Sequence, residues 1–268
     1  MITDAQVERW LREDIGHHDV TNQVPGETTG VLVARESGVV AGLNAARSVF
    51  EYLGVPVETA VSDGDRIDAS EAVLRVDGEA KDVLRGERVA VNVTGHASGI
   101  ATRTRKAVDA ASEVSDTTRI AGTRKTTPGL RGVEKRAIVA GGGDTHRLDL
   151  SHMVMVKDNH IAEMGLEAAI EHFRERISFA TKVEVEVERP EDGERAARAG
   201  ADIVMFDNLP PEEVARGVES LPERTLSEAS GGITIADVPD YAATGVDVIS
   251  MGSLTHSAKS LDFSFKTG

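Results

Sequence analysis

Five short strand-like runs in the second half of the chain each end in residues able to do chemistry. MVMV (153–156) closes on Lys157, VEVEV (183–187) carries Glu186 just before its end, and DIVMF (202–206) runs into Asp207-Asn208. TLSEA (225–229) is followed by Ser230-Gly231-Gly232, and VDVIS (246–250) by Met251-Gly252-Ser253. Positions 157, 186, 207, 230 and 252 are 29, 21, 23 and 22 residues apart, one strand-plus-helix repeat each. Parallel strands place their C-terminal ends on one face, where barrels and open α/β sheets build their sites. Two carboxylates on adjacent strands suit a hard divalent cation such as Mg²⁺, which also takes phosphate oxygens. Backbone N–H groups at Ser230-Gly231-Gly232 and Gly252-Ser253 can cradle a phosphate, and Lys157 adds a point charge for one. Singly, each has a plain structural reading: a snorkelling lysine, an edge glutamate in VEVEVE, an Asx turn, glycines in a loop. Five in succession on one expected face point to a site.

Charge concentrates just upstream. TRKTTPGLR (123–131) places Arg124, Lys125 and Arg131 around a Pro-Gly turn with no carboxylate among them. Residues 119–136 add Arg119, Lys135 and Arg136, against the single anion Glu134. The whole chain nevertheless carries a formal net charge of −15. GGGDTHR (141–147) follows, with His146-Arg147 after a glycine stretch that lets backbone approach a ligand. A solvated basic face is the plain explanation. The sharper one is that a second anion, besides a phosphate, is held at the same mouth.

The elements that must position these residues differ between the two halves. Residues 4–13 have apolar positions at Val7, Trp10 and Leu11, the spacing of a short amphipathic helix capped by Thr3. From Gly30 to Val76, β-branched runs VLVAR (31–35), VPVETAV (55–61) and AVLRV (72–76) alternate with SDGD and DG turns around a helical LNAARSVFEYLG (43–54). Residues 80–111 have helical spacing, interrupted near Gly95–Gly99. After Val114, Val/Ile/Met runs alternate with helix-like stretches, the pattern of parallel strands covered by helices on their outer faces. LDFSFK (261–266) reads as a last strand returning to the first domain. The expectation is an α+β domain over 1–105, joined by 261–268, and an α/β domain, barrel or open sheet, over 106–260.

Composition narrows the class. At 268 residues the chain can bury a full core, and with no cysteine it has no disulfide, thiolate metal ligand or cysteine nucleophile. MITDAQVERWLRED lacks an apolar signal core, and no apolar run approaches the roughly 20 residues of a membrane span. A soluble, cytoplasmic protein is expected. So negative a field argues against non-specific binding to nucleic acid or anionic membrane. Only 8 of the 30 basic residues are Lys, and this acidic, lysine-poor composition resembles that of proteins from high-salt cytoplasms.

The motifs resemble those of a known family. TRKTTPGLR (123–131), EKRAIVAGGGDTHR (134–147), KDNH (157–160), VEVEV, DN (207–208), ASGGI (229–233) and GVDVISMGSLTHS (245–257) are similar to the quinolinate phosphoribosyltransferases. EDIGHHDVTN (13–22), GVVAG (38–42) and ERVAVNVTGHASGIATRT (87–104) are similar to that family's opening domain, so the likeness covers nearly the whole chain. It implies an open-faced α+β sandwich followed by an incomplete α/β barrel, in homodimers or higher oligomers whose site is shared across the interface. It implies transfer of phosphoribosyl from phosphoribosyl pyrophosphate to quinolinate, with Mg²⁺, giving nicotinate mononucleotide, pyrophosphate and CO₂ in NAD synthesis. By the same resemblance Arg124, His146 and Arg147 bind the two quinolinate carboxylates, and Lys125 lies near both substrates. Arg88 is contributed across the interface. Lys157 meets the phosphoribosyl substrate, and Glu186 and Asp207 meet ribose hydroxyls and metal. Ser230, Gly231, Gly252 and Ser253 hold the 5′-phosphate, with Thr123, Gly232 and Met251 completing the substrate-binding set. His18 and Asn22 depart from the family's smaller residues. The competing readings are a phosphoribosyltransferase for another acceptor, such as nicotinate, and a non-catalytic phosphometabolite-binding paralogue.

Overall fold

The structure is a computed structural model describing residues 2–268. Its first elements are α1 (Asp4–Ile15), β1 (Glu27–Ala34), β2 (Gly38–Val39), α2 (Leu43–Tyr52), β3 (Val57–Thr59), β4 (Arg66–Ile67), β5 (Ala72–Glu79) and α3 (Ala80–Ser112). Then come β6 (Arg119–Ala121), α4 (Arg131–Ala140), β7 (Val154–Val156), α5 (Asp158–Met164), α6 (Leu166–Arg174) and β8 (Val183–Val187). The last are α7 (Pro190–Ala199), β9 (Ile203–Asp207), α8 (Pro211–Ser220), β10 (Leu226–Ser230), α9 (Val238–Ala242), β11 (Val248–Ser250), α10 (Ser253–His256) and β12 (Phe263–Thr267). No helix among the described residues is long and apolar enough to cross a membrane.

Two compact units interleave along the chain. Unit 1 holds the residues up to Arg105, Thr126–Gly142 and Leu254–Gly268, and unit 2 holds Lys106–Lys125 and Gly143–Ser253. The sequence places 126–142 and 254–260 in the second domain. Residues 126–142 group with unit 1 because Val133, Ala137 and Ile138 of α4 are buried in its core beside Leu32, Phe50, Leu74 and Ile100. Each fully buried Val, Leu, Ile or Phe among them contributes roughly 1.5–3 kcal/mol.

In unit 1 an antiparallel sheet runs β12-β1-β5-β3, so the expected last strand does pair with β1, from Gly30↔Thr267 to Ala34↔Phe263. Val7 and Leu11 are the buried stripe of α1, but the Thr3 side chain makes no capping hydrogen bond. Asn22 donates to Asp19 Oδ2 at 3.3 Å, which gives the unusual residue of the 17–22 loop a local task. Helix α3 is not interrupted at Gly95–Gly99. Those glycines instead let another backbone lie against an intact helix, since a Cβ on Gly99 would fall 2.0 Å from the Lys259 carbonyl oxygen.

Unit 2 is a six-stranded parallel sheet in the order β6-β11-β10-β9-β8-β7, flanked by helices between successive strands, an incomplete α/β barrel. Its strands are the expected apolar runs, with Val156, Val183, Val185, Val204, Phe206 and Ile249 buried. The short strand RIA of β6, immediately before TRKTTPGLR, goes unnoticed in the sequence. Because side chains alternate along a strand, Val183, Val185 and Val187 share one face of β8 while Glu184 and Glu186 share the other.

Candidate active site

The C-terminal ends of β7, β8 and β9 bring three charges together. Lys157 follows β7, Glu186 lies on β8 and Asp207 ends β9, and Lys157 Nζ donates to Glu186 Oε2. The KDNH motif explains how Lys157 is set: its backbone N–H donates to His160 Nδ1 at 3.0 Å, while the His160 ring packs edge-on against Phe173. Burial, and then the neighbouring Glu186, push the Asp207 carboxyl above its ordinary value, while Asn208, Lys157 and Lys125 pull it back. Lys125, exposed in the loop after β6, therefore belongs to the same electrostatic neighbourhood. Its backbone N–H donates to Thr123 Oγ1 at 3.1 Å. Asn208 sits at φ 56°, an uncommon conformation for a residue with a side chain, and donates through Nδ2 to Asp207 Oδ2 at 2.6 Å.

A second cluster lies under the loop after Gly143. Arg147 is only 8% exposed, and its guanidinium donates to Met155 Sδ at 3.1 Å. Burial and the nearby Arg124 lower its affinity for its proton, whereas Glu184 and Glu228 raise it. His146 Nε2 lies 3.0 Å from Glu228 Oε2 and 3.3 Å from Glu184 Oε2. Burial opposes the charged imidazole, yet the two carboxylates outweigh it and push the His146 pKa up to about 10. Burial and Glu228 push Glu184 upward, against the pull of His146 and Arg147. The sequence reading missed both glutamates. The available signal was position: Glu184 is two residues before Glu186, hence on the same strand face, and Glu228 falls two residues before Ser230 within β10.

The ends of β10 and β11 supply small groups. Ser230 Oγ is 3.0 Å from Ser250 Oγ, and the Asn208 N–H donates to the Ser230 carbonyl at 2.9 Å, tying the β9 loop to the β10 loop. Gly231 and Gly232 have φ of 95° and 65°. A Cβ on Gly231 would fall 2.3 Å from Asn208 Oδ1, so the two loops meet at a distance only glycine permits. Met251 is buried at the end of β11, next to half-exposed Gly252. The Ser253 hydroxyl is buried without a hydrogen-bond partner among the described residues.

The cation-rich window of the sequence divides. Arg124 and Lys125 belong to unit 2 and to this site, whereas Arg131, Lys135 and Arg136 lie on α4 in unit 1. Arg131 Nε donates to Thr126 Oγ1 at 2.9 Å, and Lys135 is buried at 3% exposure. Arg119 is exposed at the opening residue of β6, the end away from the strand C-termini. The buried Glu134 accepts from His96 Nε2 at 2.9 Å and from the Thr127 N–H at 3.1 Å, which fixes the Pro-Gly turn within unit 1. Arg88 is also in unit 1, on α3, with its side chain 59% exposed beside Glu87.

Comparison with known proteins identifies the family. Residues 19–98 match the N-terminal domain, and residues 100–266 the C-terminal domain, of quinolinate phosphoribosyl transferase. The protein belongs to the quinolinate phosphoribosyltransferase family. It is 44% identical to a probable carboxylating nicotinate-nucleotide pyrophosphorylase of Methanothermobacter thermautotrophicus, over 97% of each chain. It is 42% identical to the human carboxylating nicotinate-nucleotide pyrophosphorylase, over 98% of this chain and 90% of that one. The nicotinate-nucleotide pyrophosphorylase of Francisella tularensis superposes with a TM-score of 0.94 at 31% identity, over 100% of this chain and 98% of that one. Human nicotinic acid phosphoribosyltransferase, at 15% identity and a TM-score of 0.61, shares the fold alone.

Proposed function

We propose that this quinolinate phosphoribosyltransferase is a carboxylating nicotinate-nucleotide pyrophosphorylase of NAD synthesis. It joins the quinolinate nitrogen to the ribose C1 of phosphoribosyl pyrophosphate. As the N–C1 bond forms, the C1–O bond breaks and its electron pair leaves with pyrophosphate. The resulting pyridinium accepts the pair released when the adjacent carboxylate departs as CO₂, and a proton takes its place, giving nicotinate mononucleotide. What supports this reading is two charge clusters joined by neighbouring residues. Arg147 lies near Arg124, and Lys125 and Lys157 lie near Glu186 and Asp207. Arg124 and Lys125 are consecutive, and Glu184 beside His146 shares a face of β8 with Glu186.

Roles follow from the chemistry of each side chain. Guanidinium forks match carboxylates, so Arg124 and Arg147, with His146, take the two quinolinate carboxylates. Lys157 and Lys125 meet the phosphoribosyl pyrophosphate as point charges, Thr123 shaping the backbone at Lys125. Ser230, Gly231, Gly232, Met251, Gly252 and Ser253 line the 5′-phosphate cradle. Glu186 and Asp207 bind ribose hydroxyls and face the positive charge that develops on the sugar. The same pair fits Mg²⁺: two carboxylates close enough that one raises the pKa of the other are relieved by a hard cation. Held there, Mg²⁺ would supply charge neutralisation for the pyrophosphate. The exposed Arg88 reaches the site of a neighbouring subunit in a homodimer or higher oligomer, and the enzyme works in the cytoplasm. Subunit mixing reads this out: inactive Arg88→Ala and Lys157→Ala proteins regain activity together if the site is shared, and stay inactive after verified exchange if it is not.

Incubation with quinolinate, phosphoribosyl pyrophosphate and Mg²⁺ should release nicotinate mononucleotide and CO₂ in equal amounts. Turnover of nicotinate in preference to quinolinate, or binding without turnover, overturns the assignment.

A further inference from the structure

Glu184 and Glu228 have no assigned part in this reaction, yet they are 0% and 1% exposed inside the barrel unit. Buried carboxylates ordinarily survive only when their charge is matched. Here the matching groups are few. His146 Nε2 sits between Glu228 Oε2 at 3.0 Å and Glu184 Oε2 at 3.3 Å. Arg147 acts on both acids from nearby, and Arg124 acts on Arg147. Oε1 of each glutamate has no hydrogen bond among the described residues, and Glu184 Oε2 has only its longer ion contact with His146.

Among the described residues the ring is the one cationic group in direct contact with both acids, Arg147 acting on them from nearby. A neutral His146 would therefore leave two facing buried carboxylates with no charged partner at contact distance. A cationic imidazole donates from both nitrogens. With Nε2 held by the acid pair, Nδ1 is the remaining donor, and no described residue bonds it. The backbone is fixed independently: His146 adopts φ 52°, and its N–H donates to Asp144 Oδ1 at 2.7 Å. A non-glycine residue held at positive φ marks a position that its surroundings over-determine.

We propose that Glu184 and Glu228 are positioning residues, which clamp the Nε2 edge of His146 and keep its ring as a cationic donor for the second carboxylate of the acceptor. They thereby set the preference for a dicarboxylate over a monocarboxylate. This rests on the reading of quinolinate as the acceptor and extends it to two residues that touch no substrate. The groups facing His146 are Glu184 from β8, Glu228 from β10, and Asp144 and Arg147 from its own loop, with Arg124 behind Arg147.

The test uses full-length wild-type, Glu228→Gln and Glu184→Gln proteins, the second keeping the shorter Glu228 contact should the first fail to fold. Kinetics with each substrate varied are combined with ring-labelled histidine NMR between pH 6 and 9. In the wild type the His146 ring should stay cationic throughout. In the variants it should titrate within that range, the KM for quinolinate should rise more than about tenfold as it deprotonates, and the KM for phosphoribosyl pyrophosphate should stay within about twofold. The selectivity for quinolinate over nicotinate should fall with it. A ring that stays cationic in both variants overturns the proposal. So does an equal rise in both KM values, or stoichiometric zinc in the purified protein, which would make the triad a metal site. If the wild type does not turn over quinolinate at all, the functional reading fails, while the NMR titration still decides whether the acids hold His146 charged.

Discussion

Gly231→Ala should cost the enzyme its grip on phosphoribosyl pyrophosphate, with Gly232→Ala as its built-in control. Both residues have positive φ, so each alanine takes on roughly 1–2 kcal/mol of backbone strain. Their surroundings differ. A Cβ on Gly232 meets nothing within 4 Å, whereas one on Gly231 falls 2.6 Å from Asn208 Cγ and 2.7 Å from the Asn208 backbone nitrogen. The Asn208 side chain could rotate away, but its backbone cannot, because it follows Asp207 directly and donates to the Ser230 carbonyl at 2.9 Å. Room for the methyl therefore comes from separating the β9 and β10 loops, which shifts Asp207 and the phosphate cradle together. Misplacing one charge-assisted contact costs about 2–3 kcal/mol. That corresponds to roughly a 30- to 150-fold fall in kcat/KM for phosphoribosyl pyrophosphate. Gly232→Ala should lose thermal stability but keep kcat/KM within about threefold of wild type. Steady-state rates with phosphoribosyl pyrophosphate varied, beside thermal melts of each variant, read both effects. Equal kinetics for the two folded variants would sink the reasoning.

Four other outcomes are expected. Lys125→Ala and Arg147→Ala should each lower kcat/KM by more than about a hundredfold, since each loses a charged contact worth about 3 kcal/mol in the transition state; near-normal turnover removes the residue from the site. Gly99→Ala should destabilise the fold by about 1–3 kcal/mol or more, because its methyl would sit 2.0 Å from the Lys259 carbonyl oxygen; an unchanged denaturation midpoint refutes the close packing. His146 has a folded pKa raised from 6.5 to about 10, so its stabilisation is complete below about pH 6.5 and is lost as pH rises through about 10. Melts of wild type and His146→Gln should converge over that range, and parallel curves would refute the clamp. With a net charge of −15, the protein should melt higher in molar KCl than in dilute buffer, and equal melting temperatures end the high-salt reading.

Much of this site is legible in the sequence because it follows from strand periodicity. Lys157, Glu186, Asp207 and the Ser-Gly-Gly close strand-like runs at a regular interval, and the structure puts them at the ends of β7, β8, β9 and β10. What escapes is whatever depends on three-dimensional neighbours. Glu228 lies inside the mixed strand TLSEA, where it reads as a solvent-side acid, and only the barrel interior, with His146 facing it, makes its charge intelligible. The interruption expected at Gly95–Gly99 treats glycine as a helix breaker, whereas these glycines serve an incoming backbone. The basic window reads as one patch because charge is counted along the chain. The boundary between the units passes between Lys125 and Thr126, and sends half of it elsewhere.

The cations that remain at the mouth are not a bare positive basin. Lys157 is paired with Glu186, His146 with Glu184 and Glu228, and Lys125 neighbours Asp207. So acidic a chain could not hold five uncompensated cations in one desolvated place, because like charges at short range in a low-dielectric site repel strongly. Interleaving acids removes that repulsion and orients each donor before substrate arrives, which is where electrostatic catalysis gains most. The arrangement also gives Lys157 a partner before substrate binds. On the proposed roles, phosphoribosyl pyrophosphate would compete with Glu186 for the Lys157 ammonium, and the carboxylate so released would be free for the ribose hydroxyls or a divalent ion.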